Sequence, residues 1–176
     1  MTNGRVIGVN GNMVTTKVEG RVALNEVCYI CVGDQRLKSE VIRITGANAQ
    51  LQVFEMTRGI GIGDIDEFTG EMLAVELGPG LLQQIYDGLQ NPLPALAERC
   101  GFFLQRGVYE NPLDREVTWD FKPAVGVGDT VRRADTLGTV PEGIFEHLIM
   151  VPFNFRETYT VKSIADTGSY TIKETV

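Results

Sequence analysis

The stretch VELGPGLLQQIYDGLQNPL, Val75–Leu93, interrupts a chain that otherwise shows the pattern of short β-strands and turns. Four apolar residues in it share the spacing of one helix face: Leu81, Leu82, Ile85 and Leu89. Pro92 and Pro94 end the pattern because a proline nitrogen donates no hydrogen bond. The spacing predicts a helix of about three turns. A helix that short is stable only when its apolar face is buried.

The residues before this stretch, from Arg5 to about Gly70, have the pattern of a β-domain. RVIGVN and MVTTKV flank Asn10–Gly11, which predicts a tight hairpin since both residue types tolerate positive φ. EVCYICV, EVIRITG and AQLQVFE predict further strands, with turns at Gly33–Asp34 and Gly46–Asn48. A last short strand is predicted around Asp66–Thr69, while the imperfect alternation in EVIRITG leaves its register open. Five or six strands of this kind predict a small closed barrel, which removes exposed sheet edges.

The residues after the stretch begin with a second short helix, predicted at Pro94–Cys100 with Gly101 just past its end. From Trp119 to Val176 the pattern returns to β. VGVGDTVRRADTLGTV, Val125–Val140, resembles the first half of the barrel-sandwich hybrid of biotinyl and lipoyl carriers, and a hairpin turn is predicted at Gly168–Ser169. The predicted fold is mainly β: a barrel in residues 1–70, a linker with short helices in 71–114, and a second β-domain in 115–176.

Composition excludes several classes of partner. The net charge of −7 disfavours binding to nucleic acid and to anionic membranes. No apolar run reaches the ~18 residues that a membrane span needs, and the N-terminus MTNGRVIGVN lacks the features of a signal peptide. The composition therefore predicts a cytoplasmic protein that neither binds nucleic acid nor inserts into a membrane.

The residue types that could carry chemistry do not assemble into a site. Cys28 and Cys31 form a C-x-x-C, but one pair cannot complete a tetrahedral metal site and a strand would turn the two thiols to opposite faces. His147, the only histidine, is predicted to be structural. Arg132–Arg133 is interpreted as a solvated turn, with docking of an acidic partner as the alternative. Gly59–Gly63 is interpreted as a glycine-rich turn, because the P-loop pattern G-x-x-x-x-G-K-[ST] needs a Gly-Lys dipeptide that the chain lacks. No catalytic, cofactor-binding or metal-binding residue is predicted.

Several motifs in the same order resemble one family. They are VELGPGLLQQIYDGLQNPL itself, VIGVNGNMV at Val6–Val14, RGV at Arg106–Val108, LDRE at Leu113–Glu116, GTVPEG at Gly138–Gly143 and EHLIMVP at Glu146–Pro152. Together they resemble the front portion of the catalytic A subunit of V-type and archaeal-type rotary ATPases, in the ATP synthase alpha/beta family. The resemblance extends over essentially the whole chain.

That resemblance implies a non-catalytic role in assembly. The barrel would join a ring with the barrels of B subunits and of other A subunits, and the second β-domain would be an inserted domain near the peripheral stalk. ATP and magnesium would be held by a nucleotide-binding domain of the parent subunit, which couples ATP hydrolysis or synthesis to proton or sodium transport.

Two alternatives stay open at this point. One is a biotinyl- or lipoyl-like carrier, or a small ligand-binding β-protein, with Lys122 or Lys162 as the nearest attachment points. A carrier presents its lysine at a hairpin tip, however, and Phe145–Met150, the matching segment, contains none. The other is a free-standing oligonucleotide- or ligand-binding barrel, which the acidic balance disfavours.

Overall fold

A computed structural model describes residues 2–82 and 84–176 of the chain. The chain divides into two compact units, the first formed by residues 2–75 with Ala95–Tyr109 and the second by Glu76–Pro94 with Glu110–Val176. These units group residues by their contacts in space, so the domain boundaries predicted from the sequence, at residues 70 and 114, stay a prediction. The mainly β fold class is confirmed, since strands make up most of the regular structure.

Six antiparallel strands close into a barrel in the first unit. Their bounds are β1 Thr2–Asn10, β2 Met13–Val18, β3 Glu26–Val32, β4 Gln35–Thr45, β5 Asn48–Val53 and β6 Ile65–Met72. The order around the barrel is β1-β2-β5-β4-β3-β6, and β6 pairs with β1 to close it. The predicted closed barrel and its sixth strand are confirmed.

Three hairpins of the barrel use a two-residue loop that begins with glycine. The loops start at Gly11, Gly33 and Gly46, with φ of 62°, 58° and 61°. Glycine adopts this left-handed conformation without strain, and loops of this kind match the twist of the strands. The first hairpin differs from the prediction by one residue, because Asn10 pairs with Met13 and the loop is Gly11–Asn12.

The imperfect alternation in EVIRITG has a structural cause. The register of β4 against β5 shifts between Val41 and Arg43, so Ile42 occupies a β-bulge. Before the bulge, Leu37, Ser39 and Val41 point into the core, whereas Ile42 at the bulge and Ile44 beyond it are both exposed. The bulge therefore changes the alternation without breaking the barrel.

The predicted helix within Val75–Leu93 is wrong. No described residue between Val75 and Pro92 is helical, and the structure does not describe Gln83. Gly80 and Gln90 adopt φ of 103° and 63°, which a right-handed helix excludes. The Asp87 carboxylate also accepts hydrogen bonds from the amides of Leu89 and Asn91 (2.9 and 2.8 Å), which stabilises a turn.

The second predicted helix is confirmed as α1, Leu93–Cys100. Gly101 follows it with φ of 70° and donates its N–H to the carbonyl of Ala97 at 2.9 Å. This is the left-handed residue that ends many helices. This helix therefore begins at Leu93, the last residue of the stretch Val75–Leu93.

Six strands form the second unit's β-structure. Their bounds are β7 Thr118–Pro123, β8 Thr130–Val131, β9 Thr136–Glu142, β10 Phe145–Met150, β11 Tyr159–Thr160 and β12 Gly168–Thr171. They form a four-stranded sheet of order β10-β9-β7-β12 and a two-stranded sheet of β11 and β8. The hairpin turn predicted at Gly168–Ser169 is wrong, because both residues lie in β12 and pair with β7.

Candidate functional site

The outer surface of the barrel carries exposed isoleucines at irregular positions of two strands, β1 and β4. Ile7 lies at a register shift in β1, between Val6 and Gly8, and is 42% exposed. Ile42 lies at the bulge in β4 and is 39% exposed. In a ring of six strands, β1 and β4 are three strands apart, so these side chains lie on opposite sides of the barrel. A closed barrel has no free sheet edge, so exposed side chains such as these can mediate association where strand pairing cannot.

A segment that follows α1 is fastened to the barrel by several hydrogen bonds. The guanidinium of Arg106 donates to the side chain of Gln35 at 2.7 Å and to the carbonyls of Met56 and Arg58. The Glu55 carboxylate accepts from the amide of Gly107 at 2.6 Å.

Tyr109, in the same segment, joins two partners. Its hydroxyl donates to Glu55 and accepts from the amide of Lys38 at 2.8 Å. Burial and the neighbouring Glu55 raise the pKa of this phenol. The RGV motif thus holds the segment after α1 against the barrel.

A carboxylic acid lies inside the barrel core. Asp66 is fully buried, and its Oδ2 accepts a hydrogen bond from the Thr16 hydroxyl at 2.5 Å. Its Oδ1 has no partner among the described residues. Burial raises the pKa of Asp66 to about 6, against the lowering effect of the Thr16 hydrogen bond. Burial also raises the pKa of the nearby Cys28 thiol, so that thiol stays protonated at neutral pH.

In the second unit, one carboxylate organises the chain around it. Glu142 is 5% exposed, and its Oε1 accepts from the amides of Gly80 and Leu82 at 2.7 and 3.0 Å. Its Oε2 lies 2.8 Å from Nδ1 of His147. Burial of Glu142 raises its pKa, but the hydrogen bonds from Leu82, Gly80 and His147 outweigh burial and leave that pKa lowered. His147 is therefore hydrogen-bonded to Glu142, while its predicted structural role stays a prediction.

A groove of about 470 Å³ lies beside β10 in this unit. Its walls are mostly apolar and include Trp119, Phe121, Ile149 and Tyr170. The groove is of the size that small molecules or a few side chains occupy. The indole nitrogen of Trp119 is buried and has no partner among the described residues.

The hairpin of β9 and β10 exposes apolar side chains. Ile144 at its tip is 90% exposed, and Phe145, Leu148 and Met150 along β10 are exposed as well. Lys122 lies in β7 and Lys162 outside the regular strands, so neither is at this tip. The hairpin therefore does not have the lysine that a biotinyl or lipoyl carrier presents.

The remaining sequence motifs lie apart from one another. Cys28 is buried in the barrel core while Cys31 is partly exposed, as expected for two strand residues three apart. Arg132–Arg133 is an exposed turn after β8, and Gly59–Gly63 lies in the connection from β5 to β6. Among residues 2–82 and 84–176, no group of three or more His, Cys, Asp or Glu side chains is placed to hold a metal ion.

None of the helices among the described residues is both long and apolar enough to cross a bilayer.

Comparison with known proteins agrees with both β-units. Residues 6–70 match the model of the ATP synthase alpha/beta family, beta-barrel domain, and residues 110–176 match the ATP synthase alpha/beta subunit barrel-sandwich domain. The chain belongs to the ATP synthase alpha/beta family. Both the predicted barrel and the predicted resemblance of the second domain to a barrel-sandwich are thereby confirmed.

Relatives within this family are similar along nearly the whole chain. The V-type ATP synthase alpha chain of Treponema denticola is 61% identical over 175 residues, which is 99% of this chain and 30% of that protein. The V-type ATP synthase alpha chain 1 of Treponema pallidum is 56% identical, and the V-type ATP synthase alpha chain of Borreliella afzelii is 54% identical, each over the same shares. The chain thus spans 30% of the length of these family members.

Two features of this family member escaped the sequence analysis. Glu142 follows Gly138 and Val140 on the inward-facing positions of β9, so strict alternation would have predicted a buried carboxylate. Asp66 shares the inward face of β6 with Phe68 in the same way. The alternation signal was present at both positions, but acidic residues are so seldom buried that it is easily discounted.

Proposed function

We propose that the chain is a non-catalytic assembly and stator-docking region of the A subunit of an ion-translocating V-type ATPase. The observation that carries this proposal is the 61% identity over 175 residues to 30% of a V-type ATP synthase alpha chain. In this proposal the parent subunit couples ATP hydrolysis or synthesis to proton or sodium transport. The complex would lie at the cytoplasmic face, peripheral to the membrane.

The barrel would join a ring with B subunits and other A subunits. A member of a closed ring needs two different contact surfaces, one for each neighbour. Ile7 on β1 and Ile42 on β4 supply apolar side chains on opposite sides of the barrel, which is the arrangement that such a ring requires. This geometry supports the proposed partners.

The second unit would dock against the peripheral stalk. Residues 76–94 and 110–176 hold 13 of the 23 acidic residues of the chain and 7 of its 16 basic residues. This unit therefore carries most of the net negative charge and would favour a basic partner. Exposed apolar residues on the β9–β10 hairpin would complete the contact.

Catalysis would reside elsewhere in the parent subunit. The chain contains no Gly-Lys dipeptide and so no P-loop of the usual pattern, and Gly59–Gly63 bends between two strands rather than between a strand and a helix. We infer that this chain holds no nucleotide or magnesium itself.

A ligand-binding protein is the second candidate, and one observation favours it. The apolar groove of about 470 Å³ beside β10 is large enough for a small molecule. Native mass spectrometry of the purified chain would reveal a retained ligand or a covalent group on Lys122 or Lys162, either of which would favour this candidate.

Co-expression with a V-type B subunit tests the assembly proposal. We expect the two chains to co-elute in size-exclusion chromatography, and Ile7→Asp or Ile42→Asp to weaken the complex by placing a charge in an apolar contact. Gln52→Asp, which adds a charge to the exposed face of β5, serves as the control.

The same preparation tests the non-catalytic assignment. Isothermal titration of the chain with Mg-ATP is expected to show no saturable binding. Stoichiometric binding in the micromolar range, or failure to associate with any B subunit, would contradict the proposal.

A further inference from the structure

β10 forms one edge of the four-stranded sheet, and its only strand partner among the described residues is β9. The loop between them is Gly143–Ile144, and Phe145 pairs with Glu142. In a two-residue hairpin the closing pair exchanges both backbone hydrogen bonds, and the next residues on each strand point their backbone groups the other way. The N–H and C=O groups of Glu146 and Leu148 therefore face away from β9.

The register supports this assignment. Glu146 is opposite Pro141, which has no N–H to exchange, and a proline is tolerated at such a position. Among the described residues, the outward backbone groups of Glu146 and Leu148 thus have no strand partner along the free edge of the sheet.

This edge has little of the usual protection, because the register of β10 against β9 is regular from Phe145 to Ile149 and shifts only between Ile149 and Met150. Natural proteins shield edge strands with lysines, prolines, bulges or a covering segment. FEHLIM contains no lysine, arginine or proline, and its one acidic side chain is Glu146. Leu148 is 46% exposed, and Met150 on the same face is exposed too. An apolar edge of this kind is suited to accept another strand.

We propose that the free edge of β10 binds an extended segment of a partner protein in which apolar and basic side chains alternate. Backbone pairing with Glu146 and Leu148 would hold the segment, as in other cases of strand addition. Its apolar side chains would cover Leu148 and Met150, while its basic side chains would face Glu146 and the acidic surface of this unit.

Charge selects this occupant over a second copy of the chain. The unit has 13 acidic and 7 basic residues, so two copies would bring like charges together. The inference deepens the proposed stator-docking role and rests on it only for the idea that a partner is present. The edge, its exposure and its charge are properties of this chain alone.

The test uses the intact 176-residue chain and a labelled peptide about seven residues long that alternates Lys and Val, a typical strand length. Fluorescence anisotropy at low salt should show saturable binding. The same peptide with alternate backbone amides N-methylated keeps its side chains but loses the donors of one edge, and it should bind about tenfold more weakly. A peptide with Glu in place of Lys should bind more weakly as well.

Variants of the chain locate the contact. Leu148→Pro removes the outward N–H of an edge residue, and it should weaken peptide binding about tenfold. Glu146→Lys should weaken it about two- to fivefold at low salt. Glu157→Lys reverses an exposed acidic residue outside the regular strands and should have a smaller effect.

Three outcomes would overturn the inference: equal binding of the N-methylated peptide, no binding of any peptide, or concentration-dependent self-association that Leu148→Pro abolishes. If peptide binding fails but the chain still co-elutes with the B subunit, the strand inference falls and the assembly role stands. If the peptide binds but no B subunit associates, the assembly role falls and the strand inference stands.

Discussion

Replacing Asp66 by asparagine should change how the stability of the barrel depends on pH. The carboxyl is fully buried, with one oxygen bonded to Thr16 and the other without a partner among the described residues. Burial raises its pKa from 3.8 to about 6. A shift of about two units corresponds to about 3 kcal/mol of unfavourable ionisation in the folded state.

The sign follows from proton binding. Between about pH 4 and pH 6 the folded protein keeps a proton on Asp66 that the unfolded chain has released. The contribution of Asp66 to the free energy of unfolding therefore falls as pH rises through this window, and it is constant above and below. Asp66→Asn cannot ionise, so the variant should lose this term.

The measurement is the difference between the variant and the wild type at two pH values. The free energy of unfolding of Asp66→Asn minus that of the wild type is measured at each pH. This difference should be about 3 kcal/mol larger at pH 8 than at pH 4. The amide can still accept from Thr16, and any cost of its unmatched N–H donors is common to both pH values. Asp34→Asn, at an exposed turn, is the control and should show a difference within about 0.5 kcal/mol.

The assay must report on the barrel itself. The single tryptophan, Trp119, lies in β7 of the other unit, so its fluorescence does not report on the barrel. Native-state hydrogen exchange of peptides from β3 and β6 in increasing urea gives the required free energy. An identical pH dependence in wild type and Asp66→Asn would refute the assignment of a buried, protonatable carboxyl.

Three further substitutions test contacts, one in the first unit and two in the second. Glu142→Gln replaces a carboxylate that accepts hydrogen bonds from two amides and His147, so unfolding followed by tryptophan fluorescence should show a loss of about 1–3 kcal/mol at pH 7. Because folding lowers the pKa of Glu142, the stabilisation by its carboxylate is present above the unfolded pKa near 4.5 and should be lost as the pH falls below that value. The control Glu146→Gln, on the exposed edge, should show neither the loss of stability nor this pH dependence. Arg106→Lys loses the planar fork that reaches several acceptors, and limited proteolysis should cut near this residue faster than in wild type. Gly138→Ala would place a Cβ 2.2 Å from a ring carbon of Phe121, so its expressed protein should be destabilised by about 2 kcal/mol or more, and wild-type stability would contradict the packing.

Much of the barrel could be predicted from local patterns. Each of three hairpins carries a glycine where its loop requires positive φ, and the strands between them alternate apolar and polar residues. Such signals depend only on neighbouring residues, because strand period and turn conformation are local properties. The second unit was predicted less completely, since its strands β8, β11 and β12 are only two to four residues long and Gly168 resembled a turn residue.

The sequence by itself determined the local features of this protein: the glycine-initiated hairpins, α1 with its terminal Gly101, and the motifs shared with the ATP synthase alpha/beta family. Only the tertiary structure decided the conformation of Val75–Leu93. Its apolar spacing is helical, but the amides of Gly80 and Leu82 donate to Glu142, about 60 residues later in the chain. Those bonds tie the start of the segment to β9, and near its other end Gln90, at positive φ, exchanges side-chain hydrogen bonds with the backbone of Glu76. These contacts between distant residues favour turns over a short isolated helix, and the apolar spacing does not reveal them.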